Sequence, residues 1–249
     1  MFKKRLPRNK FGTGFLVLLL LAAMLAFTAC SAITIGSRNL ITETKEVSNF
    51  DRVALEGSGV VIVTQGGSES LTIETDSNIM QYVKVEVEDV TLTLGFIEEV
   101  NLIFPSRLIF SVGVDDLTSL TVAGSGKIES ELIETEDLEA RVGGSGNVRI
   151  ADLAVGEVKA RIGGSGEIDL TGDVVAQDVT ISGSGIYLAG DVCSESVMVS
   201  ISGSGKATVC ATEILDIDIS GSGSVDYYGR PSISTSGSGS GKINNLGEK

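Results

Sequence analysis

Seven Gly-Ser-Gly tripeptides, beginning at Gly124, Gly144, Gly164, Gly183, Gly203, Gly221 and Gly239, recur at intervals of 20, 20, 19, 20, 18 and 18 residues. A period near 20 marks a stack of coils. Each unit cannot bury its apolar face alone and must lean on its neighbours. An eighth copy, Gly57-Ser58-Gly59, stands alone much earlier. With the tripeptide as a ruler, the apolar residues fall into columns. Two residues before it stand Val122, Val142, Ile162, Ile181, Ile201 and Ile219. Four before it stand Leu120, Ala140, Ala160, Val179, Val199 and Ile217, and two after it Ile128, Val148, Ile168, Tyr187, Ala207, Val225 and Ile243. Alternating apolar positions rich in Val and Ile are strand signals. A third apolar group, as in Leu132-Ile133, Val174-Val175 and Ile214-Leu215, closes most coils. Paired Asn-Gly or Asp-Gly hairpin signals are absent. The pattern therefore predicts an all-β parallel solenoid with coils of 18–20 residues, not a meander and not a flexible Gly-Ser linker.

The glycines supply the sharp bend each coil needs and let stacked backbones approach closely. The register predicts two charge ladders: Glu129, Arg149, Asp169 three residues after the tripeptide, and Glu139, Lys159, Asp178 five before it. Stacked at about 4.8 Å, each cation stands between two acids. Arg141 and Arg161, three before the tripeptide, stack on each other. Such a pair is either screened by Glu139 and solvent or, together with Lys159, holds a small anion or an acidic sugar.

The first thirty residues have a different character. Lys3, Lys4, Arg5, Arg8 and Lys10 precede an unbroken apolar run, Phe15–Phe27, of 13 residues. As a helix that run reaches only about 20 Å, short of the ~30 Å hydrocarbon core. It reads as the core of a signal peptide that spans residues 1–29. Thr28-Ala29-Cys30 then resembles the end of a bacterial lipoprotein signal, which implies a lipid on Cys30 and a membrane as the first partner. Phe27 departs from the Leu usual there, and an ordinary cleaved signal or an uncleaved anchor, with Cys30 a bystander, is the alternative. Residues 30–46 are expected to be a lipidated tether and residues 47–249 a single solenoid domain. Two or more acyl chains hold a protein at a membrane where one does not. The expected location is extracytoplasmic, at the cell surface or an outer membrane.

The chain carries 19 basic and 33 acidic residues. Losing the leader leaves 14 basic residues against the 33 acidic, a net of −19. That charge repels nucleic acid and anionic headgroups. There is no His and no Trp, which removes the commonest general base, the commonest metal ligand and the best sugar-stacking platform. Asp115-Asp116 lacks the surrounding ligand spacing of a Ca²⁺ loop, and no Gly-Lys-Ser/Thr follows a strand to cradle phosphate. No metal or cofactor is expected. Cys193 and Cys210 lie 10 and 11 residues before the next tripeptide, so consecutive coils bring them side by side. They form either a disulfide, which an oxidising compartment permits, or two buried apolar thiols.

The looser N-terminal half contains Val47–Thr64, which looks like a first coil, then alternating strands over Leu71–Asp76 and Val83–Leu94. Gly95–Phe110 reads as an irregular loop or strand between the first coils and the regular stack. Asn39 to Val63, with Thr42-Glu43-Thr44-Lys45-Glu46-Val47, Phe50-Asp51 and Gly57-Ser58-Gly59, together with Leu-x-Val-x-Gly-Ser-Gly units such as Leu120 to Gly126, resembles the bacterial "putative auto-transporter adhesin, head GIN" domains. The resemblance covers about residues 37–246. It implies a secreted or lipid-anchored right-handed β-helix and brings no catalytic residues with it.

Two functions compete. One is a non-enzymatic surface module whose flat Ser, Thr and charged faces bind a polysaccharide, an envelope component or a protein. The other is a polysaccharide-cleaving enzyme that neutralises a uronate with Arg141, Arg161 or Lys159 and uses Glu139 as acid or base. Regular coils without a long insertion leave little room for a cleft, which favours the binding module. An ice- or crystal-binding face would need repeated Thr-x-Thr rows, which are missing. The last coil, near Lys242–Leu246, has little left to cap a strand edge, so end-to-end homodimers are expected.

Overall fold

A computed structural model describes residues 33–97, 101–103 and 107–249. The anticipated coils stack in parallel and in register, as a solenoid of about six turns. On the side before the tripeptide, β3 (Arg52–Gly57), β10 (Ser119–Gly124) and β12 (Ile133–Val142) pair in sequence. Below them follow the long strands β13 (Asn147–Ile162), β14 (Glu167–Gly183), β15 (Ile186–Gly203) and β16 (Lys206–Gly221), then β18 (Ser232–Ser236). On the side after the tripeptide, β4 (Val60–Gln65) and β11 (Lys127–Ser130) lead into the first residues of β13 to β16, then β17 (Ser224–Tyr228) and β19 (Lys242–Asn245). A third side is formed by the middle of each long strand, for example Leu153–Val158 of β13 beneath Ile133–Leu138 of β12.

The inner columns are those read from the sequence. Leu120, Ala140, Ala160, Val179, Val199 and Ile217 are successive register partners and are buried. They belong to one apolar core running the length of the stack. At roughly 1.5–3 kcal/mol for each fully buried Val, Leu or Ile, this core is the main stabilising term.

The tripeptide is itself a ladder element. Ser145 N–H donates to the Gly124 carbonyl at 2.9 Å and Asn147 N–H to the Gly126 carbonyl at 3.0 Å, and the pattern repeats one coil on with Ser165 N–H to the Gly144 carbonyl at 2.9 Å. The backbones approach so closely that a Cβ on Gly146 would lie 2.4 Å from Gly126 O and 2.5 Å from Val122 Cγ1. Glycine at this place is a steric requirement of the stacking.

The N-terminal half departs from expectation. β3 and β4 lie directly against β10 and β11, so no irregular segment separates the first coil from the stack. The chain between them instead folds over the outer side of the first coil. β7 (Thr91–Phe96) stacks on β3, and β9 (Leu108–Val114) on β4. β5 (Ser70–Asp76) pairs antiparallel with β9, and β6 (Val83–Glu88) antiparallel with β7. The β6–β7 hairpin turns at Asp89 and Val90, both at positive φ (46° and 60°). β2 (Leu40–Lys45), placed within a tether by the sequence, pairs antiparallel with β5 along its whole length. Residues 40–45 are thus part of the folded body, because Ile41 packs against the core. β1 (Ile33–Ile35) pairs in parallel with β8 (Asn101–Ile103) as a separate small ladder.

Candidate functional site

The side before the tripeptide turns its alternate residues outward, and the register arranges them in columns. Arg141 and Arg161 are direct partners, as are Glu139, Lys159 and Asp178. Each arginine has an acid of its own. Arg141 Nη2 lies 2.6 Å from Glu139 Oε1 on its own strand. Arg161 reaches to the next coil, with Nη2 at 2.5 Å from Asp178 Oδ2 and Nη1 donating to the Asp178 carbonyl at 2.8 Å. Lys159 Nζ lies 3.1 Å from Glu157; that hydrogen bond, more than the neighbouring charges, raises the Lys159 pKa above its ordinary value. The like charges are therefore neutralised locally. Exposed pairs of this kind add little to stability. In the other ladder Arg149 lies between Glu129 and Asp169 in register and pairs with Asp169 at 3.6 Å.

Further along the same side the outward positions become hydroxyls. Thr180, Ser182 and Ser184 stand above Ser200, Ser202 and Ser204, which stand above Asp218, Ser220 and Ser222. Ser236 continues the grid and donates to Asp218 Oδ2 at 2.7 Å. The result is a flat polar surface, charged near its N-terminal end and hydroxylated toward its C-terminal end.

A groove of about 860 Å³ opens where this side meets the third side. Arg141, Lys159 and Glu139 contribute to its wall, with Asp51, Arg52 and Asp116; Arg161 does not reach it. Asp116 uses Oδ1 to accept the Leu117 N–H at 2.9 Å. Among the described residues, no three His, Cys, Asp or Glu side chains are placed to hold a metal ion. A second groove, of about 710 Å³, lies over β4 and β11 and includes the exposed apolar residues Ile62 and Leu132 beside Arg149.

Cys193 and Cys210 are register partners on β15 and β16 and are joined by a disulfide, with Cα atoms 4.4 Å apart. The ladder shifts register on both sides of this pair, between Ala189 and Cys193 and between Ser194 and Ser196. Beside it lies a buried polar network that the sequence reading did not isolate. Tyr187 Oη donates to Gln177 Oε1 at 2.9 Å, Gln177 Nε2 donates to Ser194 Oγ at 2.8 Å, and Ser194 Oγ donates to the Val174 carbonyl at 2.7 Å. Burial pushes the Tyr187 phenol well above its ordinary pKa, so it stays a neutral donor. The only sequence signal was a Tyr in an otherwise aliphatic column. Cys30 and the apolar run before it lie outside the described residues. Among the described residues, no helix is long and apolar enough to cross a membrane.

Fold and faces together define a β-solenoid that presents long flat polar surfaces. Residues 49–231 match the family described as "putative auto-transporter adhesin, head GIN domain", and the chain belongs to that family. Among solved structures, it is similar to a "putative adhesin" from Bacteroides fragilis, with 28% identity and a TM-score of 0.81 over 86% of this chain and 100% of that one. It is also similar to a "putative lipid binding protein" from Parabacteroides distasonis, with 26% identity and a TM-score of 0.72 over 86% and 100% of the two chains. A "putative adhesin" from Parabacteroides merdae, at 21% identity and a TM-score of 0.66 over 86% and 99%, shares the fold. No match to a curated protein was found.

Proposed function

We propose that this protein is a non-enzymatic surface module, held at a membrane by a lipid on Cys30, that binds polysaccharide or another envelope component along its flat polar side. The observation that carries this reading is the continuous outward surface of β12 to β16. There the ion-paired Arg141 and Arg161 pass into the hydroxyl grid of Thr180, Ser182, Ser200 and Ser202. Paired charges and hydroxyls offer many polar contacts to a polyhydroxylated chain without a deep pocket. Membership in the adhesin family supports the same reading. Glu139, the acid or base an enzyme would need, is engaged by Arg141, which favours binding over cleavage.

The test is retention of the purified protein on immobilised neutral and acidic polysaccharides. Binding that falls in Arg141→Ala/Arg161→Ala and in Ser182→Asp/Ser202→Asp supports the reading. Unchanged binding in both variants refutes this placement of the site. The exposed residues Ile233, Ile243 and Leu246 of the last coil support end-to-end pairing of two copies. Concentration-dependent sedimentation that Ile243→Lys abolishes is the expected sign.

A second reading is favoured by the groove over β4 and β11. Its exposed Ile62 and Leu132 beside Arg149 suit an acyl chain with an anionic head, and one structural relative is described as lipid binding. Displacement of a fluorescent fatty acid, lost in Leu132→Asp, would support it.

A further inference from the structure

The strands folded over the first coil bring exposed apolar side chains to one corner of the solenoid's N-terminal end. Residues 76–82 link β5 to β6 there and gather their neighbours around them. Leu40 opens β2 opposite Asp76. Ser77 N–H donates to the Asn39 carbonyl at 2.9 Å. The Asn78 side chain holds the link between β1 and β2, accepting the Ser37 N–H at 2.9 Å and donating to the Ile35 carbonyl at 2.8 Å. Ile97 N–H donates to the Tyr82 carbonyl at 2.9 Å. Three large apolar side chains thus stand in solvent at this corner: Ile35 is 63% exposed, Leu40 45% and Ile97 45%. Of the cations at this end, Lys45 is paired with Glu43 and Arg107 with Glu74, whereas Arg38 has no acid within ion-pair distance among the described residues.

The length of chain that leads to this corner selects the occupant. Only Ser31 and Ala32 separate Cys30 from Ile33, the first residue of β1. Three peptide steps reach about 10 Å at full extension. The headgroup layer on each side of a bilayer is about 5–8 Å deep. A lipid on Cys30 therefore brings β1 and its neighbours against the bilayer surface. Three apolar side chains alone would not hold a protein there, but a tether makes the contact intramolecular, so a weak one suffices. The last coil is remote from this corner. Nine strand spacings separate β6 from β18, about 43 Å at ~4.8 Å each. The surplus of 33 acidic over 19 basic residues opposes an anionic surface, so a zwitterionic one is the better partner.

We propose that Ile35, Leu40 and Ile97, with Arg38 at a lipid phosphate, dip into the interface of a zwitterionic bilayer and stand the solenoid upright on it. The contact rests on the lipid at Cys30. It adds an orientation to that anchor: the flat polar side runs away from the membrane, and the last coil points outward.

The chain has no Trp, so a single introduced indole reports alone. The full-length protein is expressed in a bacterium, purified from the membrane fraction and placed in phosphatidylcholine vesicles, plain or with acyl chains brominated near the headgroup. Emission from Ile35→Trp and from Ile97→Trp should shift to the blue and be quenched at least about twofold by the brominated lipid, because interfacial side chains lie about 5–10 Å into the headgroup and acyl boundary. Ile243→Trp, on the last coil, should not respond. Each variant is first required to keep the circular dichroism melt of the parent, and the second position carries the test if one fails to fold. Mass spectrometry of the N-terminal peptide separates this contact from the anchor. Diacylglycerol on Cys30 with both indoles unquenched overturns the contact and leaves the anchor. A Cys30 free of lipid overturns both. Quenching of Ile243→Trp to the same degree overturns the upright orientation and with it the proposal.

Discussion

Replacing Gly146 with alanine places a methyl group 2.4 Å from the carbonyl oxygen of Gly126 and 2.5 Å from Val122 Cγ1. Neither neighbour can give way cheaply. The first is backbone already bonded to Asn147 N–H, and the second belongs to the buried Val122. The coils must separate locally, at a cost of about 1–3 kcal/mol, typical of overpacking in a close-packed interior. Three residues earlier the same change is benign. A Cβ on Gly143 meets nothing nearer than Val122 O at 3.8 Å, and the site is exposed. There alanine narrows the unfolded ensemble and is expected to stabilise by about 0.4–1 kcal/mol. For a domain of this size each kcal/mol moves Tm by about 2–4 °C. Gly146→Ala should thus melt about 2–12 °C below the parent and Gly143→Ala about 1–4 °C above it, measured by circular dichroism at 218 nm and by urea titration. Equal shifts for the two variants would refute the claim that the third glycine of the tripeptide is required by coil contact.

The disulfide between Cys193 and Cys210 closes a loop with a sequence separation of 17. By the loop-entropy relation it contributes about 3 kcal/mol; Cys193→Ala/Cys210→Ala, or reduction, should lower the urea midpoint accordingly, and reductant should not affect the double variant. Val90 holds a β-branched side chain at φ 60° in the β6–β7 turn. Val90→Gly should raise stability by about 1 kcal/mol in the same titration, and a loss would show that the Val90 side chain matters more than its strain. Asp226 accepts hydrogen bonds from Asn244 and Lys206, which lower its pKa below 3.8. Its folded pKa lies below the unfolded value, so its contribution is full above the unfolded pKa and is lost as pH falls through the folded one. The stability gap between the parent and Asp226→Asn should therefore be constant near neutral pH and close in acid; a gap that widens in acid would contradict this.

The regular half of the fold was legible because one bend residue recurs and everything else is counted from it. The Gly-Ser-Gly ruler alone places Arg141 over Arg161 and Cys193 beside Cys210, where the ladder holds them. The N-terminal strands folded over the first coil were not legible for an equally physical reason. They mix parallel stacking on β3 and β4 with antiparallel ladders among β2, β5, β6, β7 and β9, and their hairpin turns on Asp89-Val90 without a glycine. Leu40–Lys45 is short and polar on one face, so nothing local distinguished a strand covering β5 from a tether. Side-chain partners were the second blind spot. The ladder predicted alternating charge correctly, but Lys159 selects Glu157 on its own strand over the acids above and below it. The Gln65 clamp on Glu134 bridges 69 residues and leaves no periodic trace.

The most direct test of the functional account is incubation of the purified protein with a polysaccharide it retains, followed by mass spectrometry of the soluble fraction. The account predicts retention that depends on Arg141 and Arg161 and a soluble fraction free of new oligosaccharides. Release of fragments that Glu139→Gln abolishes would contradict it and make this solenoid an enzyme.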